Sequence, residues 1–133
     1  MGIIIDTSVL IQFERKGSNI SEFVKQHEKE EMFLSVITAS ELLHGVHRAT
    51  DAGIKANRLA FVEGIIAAIP IIEIDLAVSR LHSQLWSDLS KTGQIIGAHD
   101  LWIAATCLAH GYMLVTSNVR EFKRIPGLQL IER

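Results

Sequence analysis

The segment Gly2-Ile3-Ile4-Ile5-Asp6-Thr7-Ser8 opens with an apolar run and closes with polar residues that suit the start of a helix. Short, uninterrupted apolar runs are typical of strands in parallel sheets, which are covered on both faces. The residues that follow, 7–16, have a helical pattern that Gly17 ends. The segment therefore predicts a β–α unit with Asp6 at the carboxyl end of its strand.

Apolar runs and helical patterns alternate along the rest of the chain. Further strands are predicted at 32–36, 69–74, 112–116 and 129–131. Further helices are predicted at 18–30, 38–48, 52–68, 75–91 and 98–110, with a helical turn at 118–123. Pro70 indicates that the strand 69–74 lies at a sheet edge. This alternation predicts an α/β fold whose central, mainly parallel sheet is flanked by helices in three layers.

The composition fits one domain over residues 1–133. Hydrophobic residues make up 48% of the 133 residues, which is enough for a core without disulfide bonds. The single cysteine, Cys107, suits a reducing cytoplasm, where we expect the protein to lie. No signal peptide is predicted, and the longest apolar stretch, 59–74, is too interrupted to span a membrane. The net charge of −2 means that any contact with nucleic acid depends on a local basic patch or on bound metal.

Acidic residues recur where a strand gives way to a helix. Asp6 ends the first strand, Glu41 follows the second strand closely, and Asp100 lies in the first turn of the helix 98–110. Because ligands bind beyond the carboxyl ends of the strands in such sheets, we expect these carboxylates to share one pocket. Each also has an ordinary explanation, since acids cap helices or favour their first turn, and the segment 38–41 matches a capping box.

Converging carboxylates are the ligands that hard divalent cations prefer, and such cations promote attack of water on phosphodiesters. Asn118, which follows the strand 112–116, could add an amide oxygen as a fourth catalytic group. Ser8 and Thr116 could hydrogen-bond the carboxylates. A turn residue and hydroxyls at a strand end and a helix cap describe these positions equally well.

Four motifs stand in a characteristic order along the chain. They are Ile5-Asp6-Thr7-Ser8, Ser40-Glu41-Leu42-Leu43-His44-Gly45, Gly97-Ala98-His99-Asp100-Leu101-Trp102-Ile103-Ala104-Ala105, and Val115-Thr116-Ser117-Asn118-Val119-Arg120-Glu121-Phe122, the last followed by Ile125-Pro126-Gly127-Leu128. Together they resemble the PIN-domain ribonucleases of the VapC toxin type over nearly the whole chain. The resemblance implies a PIN fold and an endoribonuclease whose Mg²⁺ or Mn²⁺ is held by Asp6, Glu41 and Asp100. Many members carry Asp where this chain has Asn118 and Asn where it has Ser8. The number of bound metal ions, one or two, is therefore left open.

The resemblance also implies partners. Such proteins are toxins of type II toxin–antitoxin pairs, cleave RNA (tRNA in some members), form homodimers and are neutralised by a small VapB-type antitoxin. Candidate RNA contacts are a basic group beside Asn118 and one histidine at the mouth of the pocket, namely Arg120, Lys123, Arg124 and His99. A solvated helix end explains the basic group equally well.

Two other functions are compatible with the sequence. A catalytically weak PIN-fold protein that binds RNA or a partner without cleavage is favoured by Asn118, which makes the pocket less acidic. A small-molecule phosphatase or nucleotide-binding domain is the other, but no Gly-rich phosphate loop follows the first strand.

Overall fold

The apolar run that opens the chain forms the central strand of the sheet. In the computed structural model, which describes residues 2–18 and 20–133, β1 (Gly2–Ile5) is buried throughout. It lies between β2 (Glu31–Ser35) and β4 (Met113–Thr116), and both pairings are parallel. Strands β3 (Ile71–Ile72) and β5 (Leu130–Glu132) form the edges, so the order is β3-β2-β1-β4-β5 with every pair parallel.

Helices cover both faces of this sheet. They are α1 (Thr7–Lys16), α2 (Ile20–Gln26), α3 (Val36–Arg48), α4 (Ala52–Ala68), α5 (Leu76–Lys91), α6 (Ala98–His110) and α7 (Val119–Phe122). Because successive strand residues point to opposite faces, Ile3 and Ile5 pack against α1 to α4, whereas Ile4 packs against α5 to α7. The three-layer α/β fold class is thus confirmed, with a sheet that is entirely parallel.

Element boundaries follow local capping. The helices 52–68 and 98–110 have the predicted bounds, and Gly17 and Gly111 end α1 and α6 in the left-handed conformation, with φ of 63° and 70°. The predicted helix 18–30 is shorter, at Ile20–Gln26, because Ser18 precedes it and residues 27–29 form a turn. Residue 19, which the prediction included, lies outside the described residues.

The start of α3 differs from the prediction in a way that matters for the site. The Ser35 hydroxyl caps the helix by accepting a hydrogen bond from the Ile37 N–H at 3.1 Å, so the helix begins at Val36 and not at 38. Thr38 therefore lies inside the helix and is buried. The capping-box explanation of Glu41 is wrong, since its carboxylate is more than a turn beyond the helix start.

The parallel sheet collects the ends of its strands at one edge. Asp6 follows β1 there, Ser35 ends β2 and Thr116 ends β4. The backbone N–H of Asp6 continues the pairing of the two central strands by donating to the Val115 carbonyl at 2.8 Å. Across residues 2–18 and 20–133, no helix has the length and hydrophobicity needed to cross a membrane.

Candidate active site

Asp6 is buried at the carboxyl edge of the sheet and is held by hydroxyl groups. Its side chain is 3% exposed, and its Oδ2 accepts hydrogen bonds from Ser8 Oγ at 2.6 Å and Thr116 Oγ1 at 2.8 Å. Although Asp6 occupies the N-cap position of α1, its carboxylate accepts no capping bond from that helix, which is described in full. The carboxylate is therefore oriented by side-chain hydroxyl groups and does not cap the helix.

Glu41 reaches the same edge of the sheet from α3. Its Oε1 accepts a hydrogen bond from Thr7 Oγ1 at 2.8 Å, and Thr7 Oγ1 lies 3.0 Å from the buried Thr38 hydroxyl. Its Oε2 lies 3.6 Å from His99 Nδ1, and the His99 side chain is 61% exposed. Glu41 thus stands between a buried hydroxyl pair and an exposed imidazole at the rim.

Asp100 shows that the predicted carboxylates share one electrostatic environment. Burial, the charges of Asp6 and Glu121, a hydrogen bond with Glu121 and the charge of Glu41 together raise the pKa of Asp100 to about 7. A carboxyl group that keeps its proton because of its neighbours is one that a cation would ionise and stabilise. Of the surrounding charges, that of Asp6 contributes most to the raised pKa of Asp100.

Glu121 is a further acid at this pocket that the sequence interpretation missed. Its Oε1 accepts a hydrogen bond from the Gly97 N–H at 2.9 Å, and its Oε2 accepts one from Asn118 Nδ2 at 2.8 Å. The Gly97 N–H, followed by the Asn118 amide, lowers the pKa of Glu121. The i, i+3 spacing could have indicated that Glu121 contacts Asn118, because residues three apart are neighbours on a helix. The basic residues around Glu121 indicated an RNA contact instead.

Asn118 lies beside Glu121 at the start of α7. Its backbone N–H donates to Thr116 Oγ1 at 2.9 Å, while its side-chain amide donates to Glu121. Its side chain makes no capping bond to α7, a helix described in full. Asn118 therefore orients a carboxylate, and the negative charge that is absent from position 118 is present at position 121.

The carboxylates fit a hard cation through the chemistry of their donors. Within the described ranges 2–18 and 20–133, no three His, Cys, Asp or Glu side chains form a compact, ready-made metal cluster. Mg²⁺, however, is commonly held by one or two carboxylates, with water and substrate phosphate completing its coordination. Asp6 and Asp100 suit that role, with Glu41 and Glu121 at the rim.

The basic residues predicted to contact RNA do not share one helical face. Helix α7 ends at Phe122, so Lys123 and Arg124 lie in the turn that follows it. The Arg124 guanidinium donates a hydrogen bond to the Ile95 carbonyl and so fastens the loop before α6. Arg120 and Lys123 are exposed, and His99 stands at the rim beside Glu41.

Cys107 takes no part in the site. It lies on α6 and is buried in the core, and burial raises the pKa of its thiol far above the ordinary range. A thiol that cannot ionise is a poor nucleophile. Hydrolysis at this pocket would therefore depend on water and carboxylates.

Comparison with known proteins agrees with this architecture. The PIN domain family model matches residues 3–128, and the chain belongs to the PIN-domain family. Over 131 residues it is 36% identical to Ribonuclease VapC1 of Rickettsia felis, covering 98% of this chain and 96% of the relative. Over 126 residues it is 28% identical to the tRNA(fMet)-specific endonuclease VapC of Shigella flexneri, covering 94% of this chain and 92% of the relative.

Solved structures give the same result for the fold. The VapBC structure from Salmonella typhimurium, bound to DNA, is similar with a TM-score of 0.89 and 28% identity, covering 99% of this chain and 98% of that chain. VapBC2 from Rickettsia felis, bound to a DNA fragment from its promoter, is similar with a TM-score of 0.88 and 26% identity, covering 100% and 99%. The resemblance to PIN-domain proteins of the VapC type is confirmed.

Proposed function

We propose that this protein is a metal-dependent endoribonuclease and the toxin of a type II toxin–antitoxin pair. The observation that carries the proposal is the cluster of acidic residues around Asp100, in which burial, followed by the charges of Asp6, Glu121 and Glu41, raises the pKa of Asp100 to about 7. Its position at the carboxyl edge of a parallel sheet is where such folds bind ligands. Relatives named as VapC ribonucleases support the reaction class.

The residues of the pocket have distinct parts in this proposal. Asp6 and Asp100, with Glu41 at the rim, would hold Mg²⁺ or Mn²⁺, which when bound activates water and offsets charge on the phosphodiester. The hydroxyls of Ser8 and Thr116 fix the orientation of Asp6. Asn118 orients Glu121, which in turn accepts a hydrogen bond from the first N–H of the segment that carries Asp100.

The partners follow from the relatives. Because a relative in Shigella flexneri is named as specific for tRNA(fMet), tRNA is the first substrate to test. The VapBC complexes among the structural neighbours support a small VapB-type antitoxin as the partner. We expect a homodimer that acts in the cytoplasm, and a single PIN domain over 1–133 stays a prediction.

The main alternative, an RNA- or partner-binding PIN protein without cleavage, rests on Asn118. The hydrogen bond from Asn118 to Glu121 weakens it, because the pocket regains a carboxylate at the neighbouring position. Calorimetry with Mn²⁺ separates the two functions. Absence of metal binding together with retained RNA affinity would favour the alternative.

Cleavage of tRNA with Mg²⁺ or Mn²⁺ tests the leading proposal. We expect Asp6→Asn and Asp100→Asn each to reduce cleavage by roughly a hundred-fold or more, because loss of a ligand exceeds the loss seen for outer-shell changes. Asp88→Asn, an exposed acid on α5, is the control and should cleave normally. Cleavage that is equally fast in EDTA would overturn the proposal. So would undiminished cleavage by an Asp6→Asn variant whose Tm shows that it is folded.

A further inference from the structure

A groove leads away from the acidic pocket across α1, α3 and α4. Beside the pocket, it is a cavity of about 520 Å³ bordered by Thr7, Glu41 and His99. Farther out, it continues as a cavity of about 340 Å³ bordered by Arg15 and Arg58. The two cavities share Ile11, Glu41, Gly45 and Arg48. We call this continuous depression the arginine groove, after Arg15, Arg48 and Arg58.

Each arginine of the groove comes from a different helix. Arg58 on α4 is fixed, because its Nε donates to Glu14 Oε1 at 3.2 Å and its Nη1 donates to the Gly45 carbonyl at 3.3 Å. Arg15 and Arg48 are exposed in the last turns of α1 and α3. Neither of them forms an ion pair with any residue of 2–18 or 20–133. Arg15 and Arg48 thus present to the groove two cationic groups that the described chain does not neutralise, whereas Arg58 is paired with Glu14.

Gly45 is an independent sign that the groove is kept open. It lies inside α3, where glycine is less stable than alanine. Apart from its chain neighbours and the nearby backbone of its own helix, a Cβ built at this position would meet no described atom within 4 Å, so packing against other elements does not require glycine here. Gly45 borders both cavities, and a side chain there would enter the groove. The missing side chain therefore leaves room for something outside the chain.

We infer that the arginine groove binds the sugar–phosphate backbone of the substrate RNA on one side of the scissile bond, with Arg15, Arg48 and Arg58 contacting phosphates. The inference rests on the proposed function. Guanidinium groups suit phosphate because their fork of donors matches its oxygens. Such contacts position a nucleic acid without reading its sequence.

The positive charge of the groove also offsets the electrostatic repulsion between the acidic pocket and RNA. Asp6, Glu41 and Asp100 repel any polyanion until a cation is bound, so affinity for RNA has to arise beside the pocket. The arginine groove lies on the α1–α4 face, whereas Arg120 and Lys123 lie on the other face beyond α7. An RNA strand held at both would cross the carboxyl edge of the sheet at Asp6.

The test compares two variants of the full chain that each lose two positive charges. Binding of a labelled single-stranded RNA oligonucleotide is measured by fluorescence anisotropy over a range of KCl concentrations in EDTA, and cleavage kinetics are measured with Mn²⁺. The groove variant is Arg15→Gln/Arg48→Gln. The control is Arg80→Gln/Lys91→Gln, which removes the same charge from exposed positions on α5.

The groove variant should bind RNA more weakly and have a higher KM with kcat nearly unchanged. Its plot of log affinity against log salt should be shallower by about 1.4, since each phosphate contact to a single strand contributes about 0.7. Glu14→Gln should act in the opposite direction, because it removes a negative charge and releases the Arg58 guanidinium. Gly45→Leu should weaken binding through steric blockage with no change of charge.

The outcomes separate this inference from the proposed function. Wild-type protein that cleaves RNA, with a groove variant of unchanged affinity, salt slope and KM, overturns the inference alone. Unchanged RNA binding with loss of assembly with a co-expressed antitoxin would assign the groove to a protein partner and also overturn it. Wild-type protein that neither binds nor cleaves RNA overturns both.

Discussion

Asp100 is the acidic residue whose ionisation most destabilises the folded, metal-free protein. Its carboxyl group is partly buried among Asp6, Glu41 and Glu121, and its proton is retained to a pKa of about 7. Without a cation, ionising this group at neutral pH works against folding. A ligand that supplies positive charge removes that penalty, so the stability of the pocket and its chemistry depend on the same group.

Replacing Asp100 by Asn should stabilise the metal-free protein in a pH-dependent way. The folded pKa, about 7, lies above the ordinary value of 3.8, so stability is lost as pH rises between them and the full penalty is present above 7. We expect Asp100→Asn to raise the free energy of unfolding by roughly 2 kcal/mol at pH 8, after discounting for solvent screening, and by less at pH 5. Urea unfolding in EDTA measures this, with Asp88→Asn as the control. An equal gain at both pH values would contradict the explanation.

The hydroxyl of Thr116 should matter for metal affinity although it carries no charge. It donates to Asp6 Oδ2 at 2.8 Å, so Thr116→Val removes one of the two hydroxyl hydrogen bonds that orient the carboxylate. We expect Mn²⁺ affinity, measured by calorimetry, to fall by roughly 10- to 100-fold. Thr106→Val is the matched control, because that buried hydroxyl bonds only the Trp102 carbonyl within its own helix, among the described residues. A similar loss in both variants would point to general destabilisation.

At the residue scale, the sequence allowed Asp6, Glu41 and Asp100 to be predicted as neighbours, because Asp6 follows a strand, Glu41 lies on the helix after a strand, and Asp100 lies in the first turn of a helix. Glu121 was missed because its partner, the Gly97 N–H, is 24 residues away and its sequence neighbours are basic. The link between Asp6 and Thr116 depends on which strands pair, and they are separated by 110 positions. The catalytic roles of all these residues stay predictions.

At the scale of elements, helix ends were predictable wherever a strong local signal exists. Gly17 and Gly111 adopt the left-handed conformation, and Asp75 caps α5 by accepting the Val78 N–H at 2.9 Å, as expected from their residue types. The end of α2 lacked such a signal, so its predicted length was too great. The start of α3 was placed too late because Val36, the first residue of the helix, was assigned to the preceding strand.

Gly17 and Gly45 should respond to alanine with opposite signs. Gly17 has a φ of 63°, which an L-residue adopts at a cost, so Gly17→Ala should lower the free energy of unfolding by about 1 kcal/mol. Gly45 is helical with open space above it, so Gly45→Ala should raise the free energy of unfolding by about 0.5 to 1 kcal/mol. Chemical denaturation of the two variants is the measurement. Destabilisation by both would show that Gly45 has a packing role within the chain.

At the scale of the whole molecule, alternation of apolar runs and helical patterns was enough to predict a parallel sheet between helical layers. The order of the strands was beyond that reasoning, because each short apolar strand could pair with several others. The site depends on that order. Asp6 and Glu41 come from elements on one face of the sheet, whereas Asp100 and Glu121 come from α6 and α7 on the other.

Metal should therefore stabilise the entire fold. A cation that binds only the folded protein raises the free energy of unfolding by about 2.7 kcal/mol at a concentration a hundred-fold above its Kd. We expect Mn²⁺ to raise the Tm of the wild-type protein in a concentration-dependent manner and to have little effect on Asp6→Asn. Differential scanning fluorimetry with and without EDTA provides the comparison. An identical rise in the variant would place the ion elsewhere.

The pairing of β1 with β4 has a consequence for the nascent chain on the ribosome. Ile3 pairs with Met113, so β1 remains without one of its neighbours until β4 has been translated. At about 5–20 residues per second, that interval lasts roughly 5 to 20 seconds. During it, the carboxylate of Asp6 lacks the Thr116 hydroxyl, and Glu121 has not been made. The acidic site is thus incomplete until β4 and α7 have been synthesised and β4 has paired with β1.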